Sequence, residues 1–226
     1  IAEGIWYPKG GLNKVLQSLE SIAVRHGARF NYNSDVRSIV VDDRGVARGI
    51  ELANGDTVTG DVVVCNADLV YAYNRLLPKT PYADRLGKKQ HTSSSISFYW
   101  SVGCVVPQLQ AHNIFLAADY KESFDQIFKR HTLPDEPSFY VNVPSRVDPT
   151  AAPDGKDTVV VLVPVGHMVQ SDDGSGGHVD IDLLVNRARD HVIGTIEKRL
   201  KISNFGSMIE HEIVNDPRSW QSEFNL

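Results

Sequence analysis

The side chains of this chain that could do chemistry are scattered. Its eight histidines stand at 26, 91, 112, 131, 167, 178, 191 and 211. None is paired at a helical spacing and none has a cysteine beside it, so no metal site is expected. No Gly-x-Ser-x-Gly elbow is present, which argues against a serine hydrolase. Gly174-Ser175-Gly176-Gly177 lacks the Lys-Ser/Thr pair of a phosphate loop and reads as a linker. Asp42-Asp43 and Asp172-Asp173 fall in turn-like sequence, where solvated carboxylates are ordinary. No Gly-x-Gly-x-x-Gly follows a strand, so these residues contain no dinucleotide fingerprint. Two stretches remain, suited to the close approach of another group rather than to nucleophilic attack. One is the turn Pro8-Lys9-Gly10-Gly11, and the other is the small, polar run Cys65-Asn66-Ala67-Asp68.

The elements around them read as follows. Pro8 restricts its own backbone and the glycine pair permits positive φ, so a turn precedes a helix. Val15, Leu16, Leu19, Ile22 and Ala23 give that helix an apolar stripe, and Gly27 ends it. A strand starts at Ala28-Arg29-Phe30 and carries Val36, Ile39 and Val41. Turns at Asp42–Gly45 and Asn54-Gly55 then fold a small antiparallel meander. Val62-Val63-Val64-Cys65, an unbroken apolar run, is expected to be a strand buried on both faces. In open α/β sheets ligands lie where such strands end and helices begin. A helix over 68–77 follows, for which Asp68 could equally be an ordinary cap.

Leu77-Pro78-Lys79-Thr80-Pro81 breaks the pattern and marks a domain boundary. Beyond it, strands are expected over 94–106, 114–116, 138–143, 158–165 and 208–214. Phe98 and Trp100 should share one strand face and Tyr99 the other. Helices are expected over 120–130, with Phe124, Ile127 and Phe128 on one side, over 181–200, and from Asp216-Pro217 onward. Residues 171–177 read as a flexible polar loop.

Composition sets the outer limits. A chain of 226 residues, 42% hydrophobic and 23% charged, is an ordinary globular sequence with length for one large or two small domains. The net charge of −5 argues against nucleic-acid binding. The only cysteines, Cys65 and Cys104, read as reduced core residues of an intracellular protein. No apolar run approaches the roughly 20 residues that cross a bilayer. The chain opens at Ile1 without a methionine, so an internal piece of a longer protein is expected.

The order of parts carries a resemblance. Pro8-Lys9-Gly10-Gly11-Leu12, a helix, Val36-x-x-Ile39, the meander, Val62 to Asp68 and Leu76-Leu77-Pro78 together resemble the middle of the carotenoid desaturases. These are phytoene desaturases of the bacterial and fungal type, in the flavin amine-oxidase-like superfamily. The likeness continues through Tyr99-Trp100, His112 to Phe115, Tyr140 to Ser145 and Asp148-Pro149-Thr150-Ala151-Ala152-Pro153-Asp154-Gly155 to the end of the chain, and is greatest to filamentous-fungal members.

The resemblance implies an α/β fold of mixed α+β character, with an inner part of an FAD-binding domain (1–77) and a C-terminally incomplete, mixed-sheet substrate domain (78–226). It implies FAD as cofactor, with the adenine and ribose beside Val36, Cys65, Asn66 and Ala67. Gly10 and Gly11 would lie near the flavin ring and the substrate channel, although glycines chosen only for backbone angles remain the alternative. The implied activity is desaturation of phytoene to lycopene-type polyenes, with peripheral membrane association to reach that substrate; no catalytic side chain is assigned. An amine or porphyrinogen oxidase, a saturase, or a non-catalytic polyene- or lipid-binding module stay open beside it.

Overall fold

The computed structural model describes residues 6–89, 92–167 and 180–225. Two compact units emerge from the chain's contacts: Val24–His91 with Trp220–Leu226, and Ile1–Ala23 with Thr92–Ser219. The division therefore does not fall at Pro78. The short helix after that proline packs back on the helical turn before it, so Pro78 interrupts a helix without ending a unit. The expected loop at 171–177 lies outside the described residues, as do His91 and His178.

Helix α1 (Leu12–Arg25) forms where the apolar stripe predicts it, and Gly27 at φ 89° follows its end. None of its residues is buried; Leu12, Val15, Leu16, Leu19 and Ile22 are all exposed.

In the smaller unit, β1 (Val36–Val41), β2 (Ala47–Leu52) and β3 (Thr57–Thr59) form the antiparallel meander. Both turns obey local chemistry. Asp42 accepts the amides of Arg44 and Val46, and Gly45 takes the left-handed position. Asn54 accepts the amide of Asp56, with Gly55 at φ 91°. Gly49 is required by proximity, since a Cβ there would stand 2.1 Å from the Val58 carbonyl oxygen. The strand expected from Ala28 starts only at Val36.

The larger correction is Val62 to Cys65. These residues pair in no ladder among those described, and Val62 and Val64 are 79% and 88% exposed. An apolar run becomes a buried strand only where neighbours satisfy its backbone on both edges, and this three-stranded sheet stops at β3. Cys65 is accordingly exposed and Cys104 half-buried; neither is in a disulfide. Helix α2 (Leu69–Tyr71) is capped by Asp68, whose side chain accepts the Tyr71 amide. It runs into a π-helical turn over Ala72–Leu76, and α3 (Pro81–Gly87) follows.

The larger unit is built on a five-stranded antiparallel sheet. Its strands are β4 (Ser94–Val102), β5 (His112–Phe115), β6 (Phe139–Asn142), β7 (Asp157–Val165) and β8 (Ile209–Asn215), in spatial order β5-β6-β7-β4-β8. Between β5 and β6 lies α4 (Tyr120–Phe128), α5 (Ile181–Leu200) precedes β8, and α6 (Pro217–Phe224) closes the chain.

Period-two alternation divides the sheet into two faces. Ile96, Phe98, Trp100 and Val102 share one face with Val159, Val161 and Val163, and all are fully buried with Ala188, Val192 and Ile196 of α5. Phe205 meets Trp100 edge to face at 5.8 Å. Asp180 caps α5, and Lys201 ends it in the left-handed region.

Burial contradicts one expectation in α4. Its buried residues are Ser123, Gln126 and Ile127, while Phe124 and Phe128 are exposed. Gln126 is held by the Asp135 amide and by Glu122, so Gln126 and Ile127, with Ser123, form the buried side of this helix and the aromatics do not.

Candidate functional site

The Pro8–Gly11 turn is closed by the Gly11 amide, which donates to the Pro8 carbonyl at 2.9 Å. Gly10 and Gly11 stand at φ 83° and 81°, in the left-handed region that glycine enters without strain. The Gly10 amide donates to Asp148 Oδ2 at 2.5 Å. Asp148 is buried, and its other oxygen accepts both the amide and the hydroxyl of Thr150. The Gly10 amide, then the Thr150 hydroxyl and amide, hold this carboxyl below the usual carboxylate range, with the positive charge of Lys9 adding to them. Two motifs 138 residues apart thus form one structure in the larger unit.

Beside it, an ion pair braces the same segment. Arg146 grips Asp157 through two bonds of 2.6 and 2.7 Å and donates to the carbonyls of Leu109 and Val106. Asp157, 1% exposed at its side chain, also accepts from the Val106 amide and the Ser145 hydroxyl. Burial alone would raise its pKa, but these donors, Arg146 foremost, overcome that and leave it lowered.

In the smaller unit an open cavity of about 840 Å³ collects most of the remaining predicted residues. Val36, Cys65, Asn66 and Ala67 all line it, with Asp35, Gly49, Thr59 and Tyr71. Gly60 and the run from Val62 to Ala67 line this wall as well. Ser222, Glu223 and Asn225 line it too, and spacing along the chain gives no signal for them. Gly10 and Gly11 do not line this cavity.

The sheet face opposite α5 is open. One cross-strand row runs Ile114, Tyr140, Leu162, Ser97, Asn215, and the next runs His112, Asn142, Val160, Tyr99, Ile213. Ile114, Leu162, Tyr99 and Ile213 are exposed on it, and His112 Nδ1 shares a 2.6 Å hydrogen bond with the Tyr140 hydroxyl. The face is mixed: the exposed apolar side chains alternate with polar ones from edge to edge, His112, Tyr140 and Asn142 on β5 and β6, Ser97 on β4 and Asn215 on β8.

The sequence profile of the flavin containing amine oxidoreductases matches residues 1–192, and the chain belongs to that family. It is 54% identical, over its whole length, to a phytoene desaturase of Phycomyces blakesleeanus, of which it covers 39%. A phytoene desaturase of Fusarium fujikuroi is 50% identical, again over the whole chain and 42% of the relative. A zeta-carotene-forming phytoene desaturase of Myxococcus xanthus is 41% identical over 99% of the chain and 42% of its own length. The chain thus spans about two-fifths of the length of these relatives. Among solved structures, an oxidoreductase from Methanosarcina mazei shares the fold at a TM-score of 0.62 and 17% identity, covering 93% of this chain and 43% of its own.

Proposed function

We propose that this chain is part of an FAD-dependent carotenoid desaturase that converts phytoene to lycopene-type polyenes. The observation that carries the reading is identity of 54% across the entire chain to a protein named a phytoene desaturase. Fold alone would leave the substrate undefined. The smaller unit would hold the adenine–ribose side of FAD. Its cavity lies in the usual size range for small-molecule sites, and small residues such as Cys65, Asn66 and Ala67 along it allow close approach. The chemistry FAD supplies when bound is acceptance of a hydride equivalent from the substrate carbon.

The larger unit would receive the polyene on the open face of its sheet. Tyr99, Leu162, Ile114 and Ile213 would keep water from the hydrocarbon. The protein's own task is then to bind, orient and exclude solvent, which explains a sequence without a self-contained nucleophile.

The test uses the full-length protein, loaded with flavin and given phytoene dissolved in liposomes. Loss of phytoene with appearance of longer conjugated chromophores, resolved by chromatography, is the expected result. A flavin-loaded protein that leaves phytoene unchanged while oxidising an amine or a porphyrinogen would overturn it.

A further inference from the structure

His112 and Tyr140 stand on neighbouring strands of the open sheet face. His112 is exposed on β5, the edge strand, and Tyr140 is half-buried on β6. The 2.6 Å hydrogen bond between Nδ1 and the tyrosine oxygen holds the imidazole. The two rings lie nearly parallel, at 18°, with centroids 6.1 Å apart. Asn142, anchored by donating to the Ala111 carbonyl, lies 3.5 Å from the same nitrogen. One ring nitrogen is therefore engaged, and Nε2 has no hydrogen-bond partner among the described residues.

Desaturation breaks a C–H bond on each of two adjacent carbons and forms one C=C bond. One hydrogen leaves with its electron pair as a hydride equivalent, and FAD is the oxidant that this reduces. The other leaves as a proton, and the electron pair of its bond becomes the new π bond. Where a hydrocarbon covers the face, water is excluded, so a side chain must take that proton. Hydroxyls and amides, such as those of Ser97, Tyr99, Asn142 and Asn215, are poor proton acceptors, whereas a neutral imidazole is a good one. In the two cross-strand rows that carry the exposed Ile114, Leu162, Tyr99 and Ile213, only His112 supplies an imidazole.

We propose that His112 Nε2 accepts the proton released in desaturation, with Tyr140 as the positioning residue; the assignment rests on the desaturase reading above. The tyrosine oxygen accepts from Nδ1–H, which leaves the Nε2 lone pair free. The same bond persists when Nε2 gains the proton and the ring becomes cationic. Placement on an edge strand then lets the ring return its proton to solvent between turnovers.

Full-length protein loaded with flavin, mixed anaerobically with phytoene in liposomes, tests this through the rate of flavin bleaching. His112→Gln should slow bleaching about a hundredfold or more, and Tyr140→Phe should slow it less. Flavin content, melting temperature and the visible band of bound lycopene should match the parent, since the His112 side chain is exposed. Free imidazole should speed His112→Ala about tenfold or more, because a diffusing base can replace the missing one. His211→Gln, at the opposite edge of the same face, should leave the rate unchanged. A His112→Gln protein that bleaches as fast as the parent would overturn the proposal. So would slowing explained by lost flavin or lycopene binding, a His112→Ala protein indifferent to imidazole, or equal slowing by His211→Gln. A parent whose flavin stays oxidised with phytoene present would instead overturn the desaturase reading, and this assignment with it.

Discussion

The Gly10 amide and the Asp148 carboxylate meet at 2.5 Å, closing a contact between a turn at the start of the described chain and a loop 138 residues later. The carboxylate is satisfied on both oxygens, by Gly10 on one and Thr150 on the other. A loop residue thereby sets the pose of Lys9-Gly10-Gly11.

Asp148→Ala removes the acceptor and leaves the Gly10 amide without it. In the full-length protein the variant should lose desaturation and melt at a lower temperature, while Asp148→Asn, which keeps one carbonyl oxygen, should retain part of both. The pH sign follows from the lowered pKa. A depressed carboxyl contributes stability above its unfolded value, near about 3.9, and loses that contribution as pH falls through the lower folded value. Acid titration of melting should therefore flatten at low pH for Asp148→Ala relative to the parent. Identical acid profiles would show that the contact contributes nothing.

Gly11→Ala adds one methyl group to open space, since the nearest atom, the Tyr7 hydroxyl, is 3.8 Å from the added Cβ. The backbone penalty for alanine at φ 81° is about 1 kcal/mol, or roughly fivefold if it all reached activity. If the turn borders the flavin and substrate, desaturation should fall well beyond that factor with the melting temperature nearly intact. A loss of activity matched by a loss of stability would assign the glycines to backbone geometry alone.

Cys65 offers a chemical test of the cavity in the smaller unit. It is exposed, and Cys104 is half-buried, so a thiol reagent should modify Cys65 first. Flavin bound beside Ala67 should slow that modification, and Ala67→Trp should lower flavin content while the protein remains folded. Equal labelling rates with and without FAD, together with unchanged flavin content in the variant, would remove Cys65, Asn66 and Ala67 from the cofactor site.

The Arg146–Asp157 pair should matter more to stability than any surface ion pair. Arg146→Met leaves Asp157 buried against the amide of Val106 and the hydroxyl of Ser145 with no compensating cation. Breaking such a pair costs about 3 kcal/mol or more, readable as a lower denaturant midpoint. The parent should also lose stability as pH falls through the depressed pKa of Asp157. Arg146→Lys should rescue little, because one ammonium group cannot reproduce the two-point grip and also reach both the Leu109 and Val106 carbonyls.

Local rules were legible in the sequence because they act over a few residues. The turns at Gly45 and Gly55, the Asp68 cap, the limits of α5, and the division of Phe98 and Trp100 from Tyr99 all depend on neighbours within one element. Relatedness to the flavin containing amine oxidoreductases was legible as well, since the order of motifs survives in one dimension.

Only the tertiary structure decided which elements find partners. Apolar composition made Val62 to Cys65 look like a buried strand, but burial requires neighbours on both edges, and the run lies exposed beside a cavity. Periodicity put Phe124, Ile127 and Phe128 on one side of α4, yet of these only Ile127 is buried, together with Ser123 and the hydrogen-bonded Gln126, and both aromatics stay exposed. Nothing in sequence spacing ties Gly10 to Asp148. That bond exists because the folded chain brings a buried carboxylate within reach of a glycine amide, and hydrogen-bond satisfaction depends on where groups lie in space rather than on their separation along the chain.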